Sequence, residues 1–360
     1  MILTDSMLDA AYKFRMAEPW KELTDSDIFA AKLSDGTVVY CSIMGNAGEH
    51  HSLGIYIGNE GFSTFLKTLL ANNMNIIESM SASIEFDCIN CDFMQAKDID
   101  DEVKKKIRDY AERNAIKIPR KSGWIDFTRF SPFKGQWCIT DGHDALVAEE
   151  ALRFATFFAN ESKGKSYSDM NLDPIGRYPT AEGGKVIPFI TIGNDGRYQI
   201  STTTTPPLIG RQYIAPAFDN DILASKMKSM KKADDIECRL LHMPMPVSDD
   251  DGETVPVMMG AFILADVNTG EMLMPLSTTD YPDSPQSLLT KLATYFCDNG
   301  ISPKRMTVSD DKTYMLIKDF CQRCGIQLRK VKDLPDMDEM CMTMMHGMMM
   351  QGMLMGGMSF

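Results

Sequence analysis

SPKRMTVSDDKTYMLIKDFCQRCGIQLRKVKDLPDMDE, residues 302–339, is the stretch that decides the fold of the second half of the chain. Residues 305–309 read as a short β-strand. Residues 313–324 carry apolar side chains at helical spacing and end at Gly325, a stop signal for a helix. Residues 326–331 return as a strand, and a last helix begins near Asp336. A short strand set between two helices suits parallel pairing through right-handed crossovers.

Upstream, residues 236–243, 257–267 and 271–276 read as three strands. The first two are joined by the acidic run 249–253, and the second pair by Asn268-Thr269-Gly270, a turn sequence. A helix at 287–299 follows. From Ile236 the order is therefore β-β-β-α-β-α-β-α, which is similar to the ribonuclease-H-like order. A hairpin at 186–192 and 197–203 and a helix at 219–232 precede it. The first half mixes strands at 27–33, 38–44, 53–57, 83–94 and 124–130 with helices at 5–18, 60–72, 101–114 and 144–160. Residues 161–180 are polar and rich in Gly, Ser, Asp and Pro. The expected fold class is α/β in the broad α+β sense, with two mixed modules. Residues 1–160 form the first module, 161–185 a linker, 186–340 the second module and 341–360 a terminal helix and tail.

A chain of 360 residues exceeds one typical domain. Its net charge of −13 argues against nucleic-acid binding, which draws its affinity from Lys and Arg neutralising phosphates. The basic run Lys104, Lys105, Lys106, Arg108 lies among Asp100, Asp101, Glu102 and Asp109 and reads as a solvated helix face. No stretch has the length and apolarity of a membrane span, and the N-terminus lacks the basic start and apolar core of a secretory signal. Nine scattered cysteines, an odd number, do not form a secreted disulfide framework. The expected location is the cytoplasm.

The ribonuclease-H-like order invites a nuclease or phosphodiesterase reading, in which carboxylates from neighbouring strands share divalent metals. Asp266 ends one strand and Asp310 follows another. Against this, the first strand offers only Glu237, and the last helix offers acids only at its start: Asp336, Asp338 and Glu339. Local roles account for both aspartates, Asp266 in a hairpin turn and Asp310 as a helix cap. The pairs Cys88–Cys91 and Cys321–Cys324 lie in different modules and read as buried small hydrophobes. His50, His51, His143, Cys41 and Cys138 form no nucleophilic signature, and no cofactor motif stands out.

The C-terminus differs in kind. Residues 337–358 hold eleven methionines, with Cys341 and His346 among them. Met340, Cys341, Met344, Met345, His346 and Met348 are soft ligands of the type that suits Cu(I). Met337, Met340, Cys341, Met344, Met345 and Met348 also follow helical spacing, which predicts a docked helix over 337–348. Methionine surfaces adapt to varied apolar partners, so the tail is also a place for a protein partner.

The run DSDIFAAKLSDGTVVYCSIMGNAGEHHSLGIYIGNEGF (residues 25–62) resembles a module of uncharacterised bacterial proteins, mainly of Firmicutes type. GAFILADVNTGEML (260–273), with the stretch quoted first, resembles the module that follows it. The resemblance implies a bacterial cytosolic protein of two modules of unknown function. It carries over no catalytic residue, cofactor or substrate. The leading expectation is a non-catalytic binding or interaction protein. The alternatives are a metal-dependent phosphodiesterase using Asp266 and Asp310, and Cu(I) binding through the tail.

Overall fold

In the computed structural model all residues are described except 49, 71–75, 176–179, 249–253, 274 and 355–360, together with the side chains of 76–78, 80, 244 and 348–354. The expected acidic connection at 249–253 lies outside the described residues. The chain forms two compact units. One comprises Met1–Asn75, Glu85–Pro132 and Gln136–Gly210, and the other Ile76–Ile84, Phe133–Gly135 and Arg211–Phe360.

The first unit is an eight-stranded sheet. Its strands are β1 (Phe29–Lys32), β2 (Val38–Met44), β3 (His51–Ile57), β4 (Cys88–Met94), β5 (Trp124–Phe130), β6 (Trp137–Cys138), β7 (Val186–Ile192) and β8 (Tyr198–Thr204), ordered β6-β5-β4-β3-β2-β1-β7-β8. All neighbours are antiparallel except β1 and β7, which run parallel. Three helices, α1 (Asp5–Ala17), α4 (Asp101–Arg113) and α5 (Gly142–Glu161), contribute to the larger core. Phe14, Ile107 and Leu152 there pack with Val39, Leu53, Ile89 and Ile125 of the sheet. On the opposite face α2 (Gly58–Leu70) sets Phe62 and Phe65 against Tyr40 and Tyr56. The α4 cations are tied along the helix, Lys104 to Asp101 and Lys106 to Glu102, as a solvated face requires.

Three expectations are corrected here. The hairpin at 186–204 does not open the second module: Ala30 and Ala31 of β1 pair with Phe189 and Ile190 of β7. The segment read as a linker is anchored to this same unit. Tyr167, Leu172 and Ile175 are buried, the Tyr167 hydroxyl donates to the Ile28 carbonyl at 2.9 Å, and the Ile175 N–H donates to Ser26. Its polar residues occupy the exposed positions between those anchors. The strand read at 83–94 is also shorter than expected. It begins at Cys88, and α3 (Ile76–Ile84) precedes it.

The second unit is a five-stranded sheet of β9 (Asp234–Val247), β10 (Val257–Asp266), β11 (Leu276–Thr278), β12 (Pro303–Val308) and β13 (Gln327–Lys330), ordered β11-β10-β9-β12-β13. β9, β10 and β11 form an antiparallel meander, while β12 runs parallel to β9 and to β13. Counted within the unit, the strand order is 3-2-1-4-5, the ribonuclease-H-like arrangement that the element order suggested. Alternation along β9 gives its two faces different partners. Ile236, Cys238 and Leu240 face α6 (Asp221–Ser229), α7 (Pro285–Asp298) and α8 (Asp311–Cys324), whose Met227, Leu292 and Phe320 complete that core. Leu241 and Met243 join Ala261 and Ile263 of β10 under α9 (Pro335–Leu354). Gly325, at φ 68°, ends α8 in the left-handed conformation that glycine adopts without strain.

Candidate functional site

The α9 face of the second sheet holds a cluster of charged residues. Arg239 points towards α9 from β9, its side chain 13% exposed. Its guanidinium bonds Asp338 of α9, donates to the Ser309 hydroxyl at 2.6 Å, and lies 3.8 Å from Asp310 Oδ2. Asp310 also caps α8. Its Oδ1 accepts from the Thr313 N–H and its Oδ2 from the Thr313 hydroxyl, both at 2.8 Å. The Thr313 hydroxyl in turn accepts from the Leu240 N–H at 2.9 Å, which fixes the cap to β9. Glu237, two residues before Arg239, has its carboxyl pushed up by burial and by the charge of Asp336.

The acids brought together are thus Asp310 and Asp338, not Asp266 and Asp310. Asp266 pairs in register with Ile236 on the β10 side of β9. Asp310 lies beside Arg239, three residues further along and on the β12 side. At ~3.3 Å per residue and ~4.8 Å between strands, the two are about 10 Å apart along the sheet and about 10 Å across it. Asp266 Oδ1 accepts from the N–H groups of Asn268 and Thr269 and closes the hairpin turn. Among the described residues, no group of three or more His, Cys, Asp or Glu side chains is disposed to hold a metal. The position between Asp310 and Asp338, where a shared cation would sit, is filled by a guanidinium. Asp338, one of the acids at the start of the last helix, is committed to Arg239.

The predicted methionine helix docks. Met337, Cys341 and Met345, spaced four apart, are buried against the sheet, and Met340 and Met344 are half-buried at the margin. Burial pushes the Cys341 thiol up to about 11, opposed by Arg239. His346 is exposed, and five residues on from Cys341 it lies about 140° around the helix. The soft-ligand set is therefore split, with Cys341 and Met345 facing the core and His346 facing outward. The side chain of Met348 lies outside the described residues. Along the outer margin of α9 runs an open cleft of about 450 Å³, lined by Met272, Asp336, Glu339, Met340, Thr343 and Met344.

A buried polar box lies on the other side of β9. The Lys312 ammonium donates to His242 Nδ1 at 3.0 Å and stands 5.3 Å over the Phe133 ring. Burial, with Lys312 adding to it, holds His242 down at about 2, so it stays neutral with its proton on Nε2. The thiols of the two Cys-x-x-Cys pairs are held in the neutral, unreactive form. Cys88 is pushed up to about 12 and Cys324 to about 11, while Cys91 and Cys321 are also raised, all chiefly by burial.

Residues 5–173 match the model of a domain of unknown function (DUF7309), and residues 223–345 match that of a second domain of unknown function (DUF6930). The chain is a two-module protein that joins these two domains. No curated protein and no solved structure matches it. The DUF7309 match ends before β7 and β8, which complete its sheet. The DUF6930 match runs from α6 to Met345, the last described buried residue of α9.

Arg239 is the residue that sequence reasoning missed in the DUF6930 domain. Its signal was available: Glu237 and Arg239 alternate with the core residues of β9, so two charges share a face that should otherwise be covered. Replacing Arg239 with Ala is expected to cost about 2–3 kcal/mol in urea unfolding, because two acids lose their counter-charge. This is at the low end for such a loss, since Asp310 and Asp338 are each about a third exposed. The pair Arg239→Met with Asp338→Leu should recover most of it. A loss within ~0.5 kcal/mol for Arg239→Ala would mean the cluster is a surface ornament.

Proposed function

We propose that this chain is a non-catalytic binding protein whose DUF6930 domain takes a basic amphipathic helix in the cleft beside α9. The observation that carries this reading is the chemistry of the cleft: it is lined by Met272, Met340 and Met344 together with the acidic residues Asp336 and Glu339. Methionine side chains are flexible and polarisable, so they fit apolar anchors of varied shape. A helix that lays apolar anchors into such a groove needs cations to meet its two carboxylates. Arg239 between Asp310 and Asp338 supports the non-catalytic half of the reading, because it neutralises the acids a metal-dependent phosphodiesterase would need. Nine free thiols favour a reducing cytoplasm as the place of action.

The test uses the full chain and two synthetic helical peptides of equal length, one with lysines on its polar face and one with glutamates. Fluorescence anisotropy should give micromolar binding of the basic peptide and none of the acidic one. Glu339→Lys should weaken the basic peptide at least tenfold. Glu112→Lys, the same charge change on the exposed side of α4, should leave it nearly unchanged. Equal loss in both variants would reduce the effect to net charge and remove the cleft from the account.

A further inference from the structure

The first sheet carries a polar row that its fold does not explain. Met44, Ser52, Asp92 and Asp126 stand directly opposite one another on β2, β3, β4 and β5, so their side chains share one face. Asp92 and Asp126 are the unusual pair. Like charges directly opposed across two strands destabilise the pairing, and a β-sheet core normally avoids them. Among the described residues, no Lys or Arg bonds either carboxylate. Asp92 Oδ1 has His50 Nε2 at 2.7 Å, and Asp126 Oδ2 has the Thr128 hydroxyl at a long 3.4 Å. Burial and the charge of Asp92 both push the Asp126 carboxyl up.

Ser52 supplies an independent observation. It is fully buried, it is the residue opposite Asp92, and among the described residues its hydroxyl has no hydrogen-bond partner. An orphaned buried hydroxyl costs free energy, and this one is set beside two opposed carboxylates. Asn90, half-buried, adds an amide to the same face in the next row, opposite Gly54. The row is accessible from one end, because Asp126 is only partly buried and His50 is largely exposed.

We propose that Asp92, Asp126 and Ser52 hold a hydrated divalent cation of the Mg²⁺ or Mn²⁺ class on the first sheet. One cation removes both anomalies together, since it turns the opposed carboxylates into co-ligands and gives the Ser52 oxygen a partner. Cations of this class use one or two carboxylates and keep several waters, which suits two acids and a hydroxyl better than the closed cage of a structural zinc site. His50 holds Asp92 from the solvent side and acts as a positioning residue, orienting the carboxylate as outer-sphere partners of ligands do. This site is independent of the cleft beside α9.

The experiment is a titration of the metal-free full chain with Mn²⁺, read by loss of the free-ion electron paramagnetic resonance signal, with Mg²⁺ as competitor. A single site is expected, with a rise in melting temperature on loading. Asp126→Asn and Asp92→Asn should each weaken Mn²⁺ at least tenfold, and Ser52→Ala by a few-fold. Asp109→Asn, on the exposed face of α4, should bind like the unaltered protein. Asp126→Asn removes the like-charge opposition, so without metal it should melt at or above the unaltered protein, which separates lost binding from lost folding. No Mn²⁺ binding at millimolar concentration, or binding unchanged in both aspartate variants, overturns the proposal.

Discussion

Ending the chain after Asp336 is expected to remove about 4–6 kcal/mol from the DUF6930 domain, a large share of a typical domain's stability of about 5–15 kcal/mol. Met337, Cys341 and Met345 are 0%, 0% and 3% exposed, and burying a Met side chain contributes up to about 1.5–3 kcal/mol. The sum is an upper bound, because a denatured chain already buries some apolar surface. The same truncation uncovers Leu241, Met243, Ala261 and Ile263, one contiguous apolar face of the sheet, and takes away Asp338, the closest partner of Arg239. The expected result is loss of the cooperative transition of this domain, or aggregation through the exposed face. Ending the chain after Gln351 keeps all three buried residues, and the melting temperature should move by no more than about 2 °C. Calorimetry of the two truncations side by side decides the matter. Equal melting curves would mean that α9 is not held by its methionine face.

The second large effect concerns the discontinuity of the DUF6930 unit. A fragment of residues 211–360 contains all of β9 to β13, yet it lacks Ile76–Ile84 and Phe133–Gly135, which belong to the same compact unit. Phe133 is 2% exposed, and its ring packs on His242 at 4.7 Å and Tyr281 at 5.2 Å. Its backbone carbonyl accepts from the Met258 N–H at 2.9 Å, and the Gly135 N–H donates to Pro256 at 2.8 Å. Without this segment, Lys312 and His242 lose the aromatic cover that keeps water from them, and the start of β10 loses its edge pairing. The fragment is expected to be aggregated or partly unfolded, with broad amide resonances. In the full chain, Phe133→Ala alone should cost about 3–4 kcal/mol. A monomeric fragment that melts like the DUF6930 transition of the full protein would show that the unit closes without these residues.

The sequence by itself determined the order of the elements in the second domain, although the third strand forms at Leu276–Thr278 and not over 271–276. Apolar spacing marks α7 and α8, Asn268-Thr269-Gly270 and Gly325 carry turn and cap chemistry, and each short strand is bounded by such signals. The same local logic foretold the docking of α9, since Met337, Cys341 and Met345 recur every four residues and a helix turns about once in that interval. Local pattern failed where partner choice is long-range. β7 and β8 look like the start of a new module because polar residues precede them; only pairing with β1, more than 150 residues earlier in the chain, assigns them to the first sheet. Residues 76–94 are apolar enough for either a helix or a strand, and which segment becomes α3 was decided by the sheet available to cover it. The charged sites follow the same division. The sequence placed Asp266 at the end of one strand and Asp310 just after another but could not say how far apart the sheet sets them. It could not pair Arg239 with Asp338, 99 residues away, or set Asp92 opposite Asp126. A charge acts through space, so its role is fixed by whatever the folded chain brings within a few ångströms of it, and that information lies in the tertiary structure.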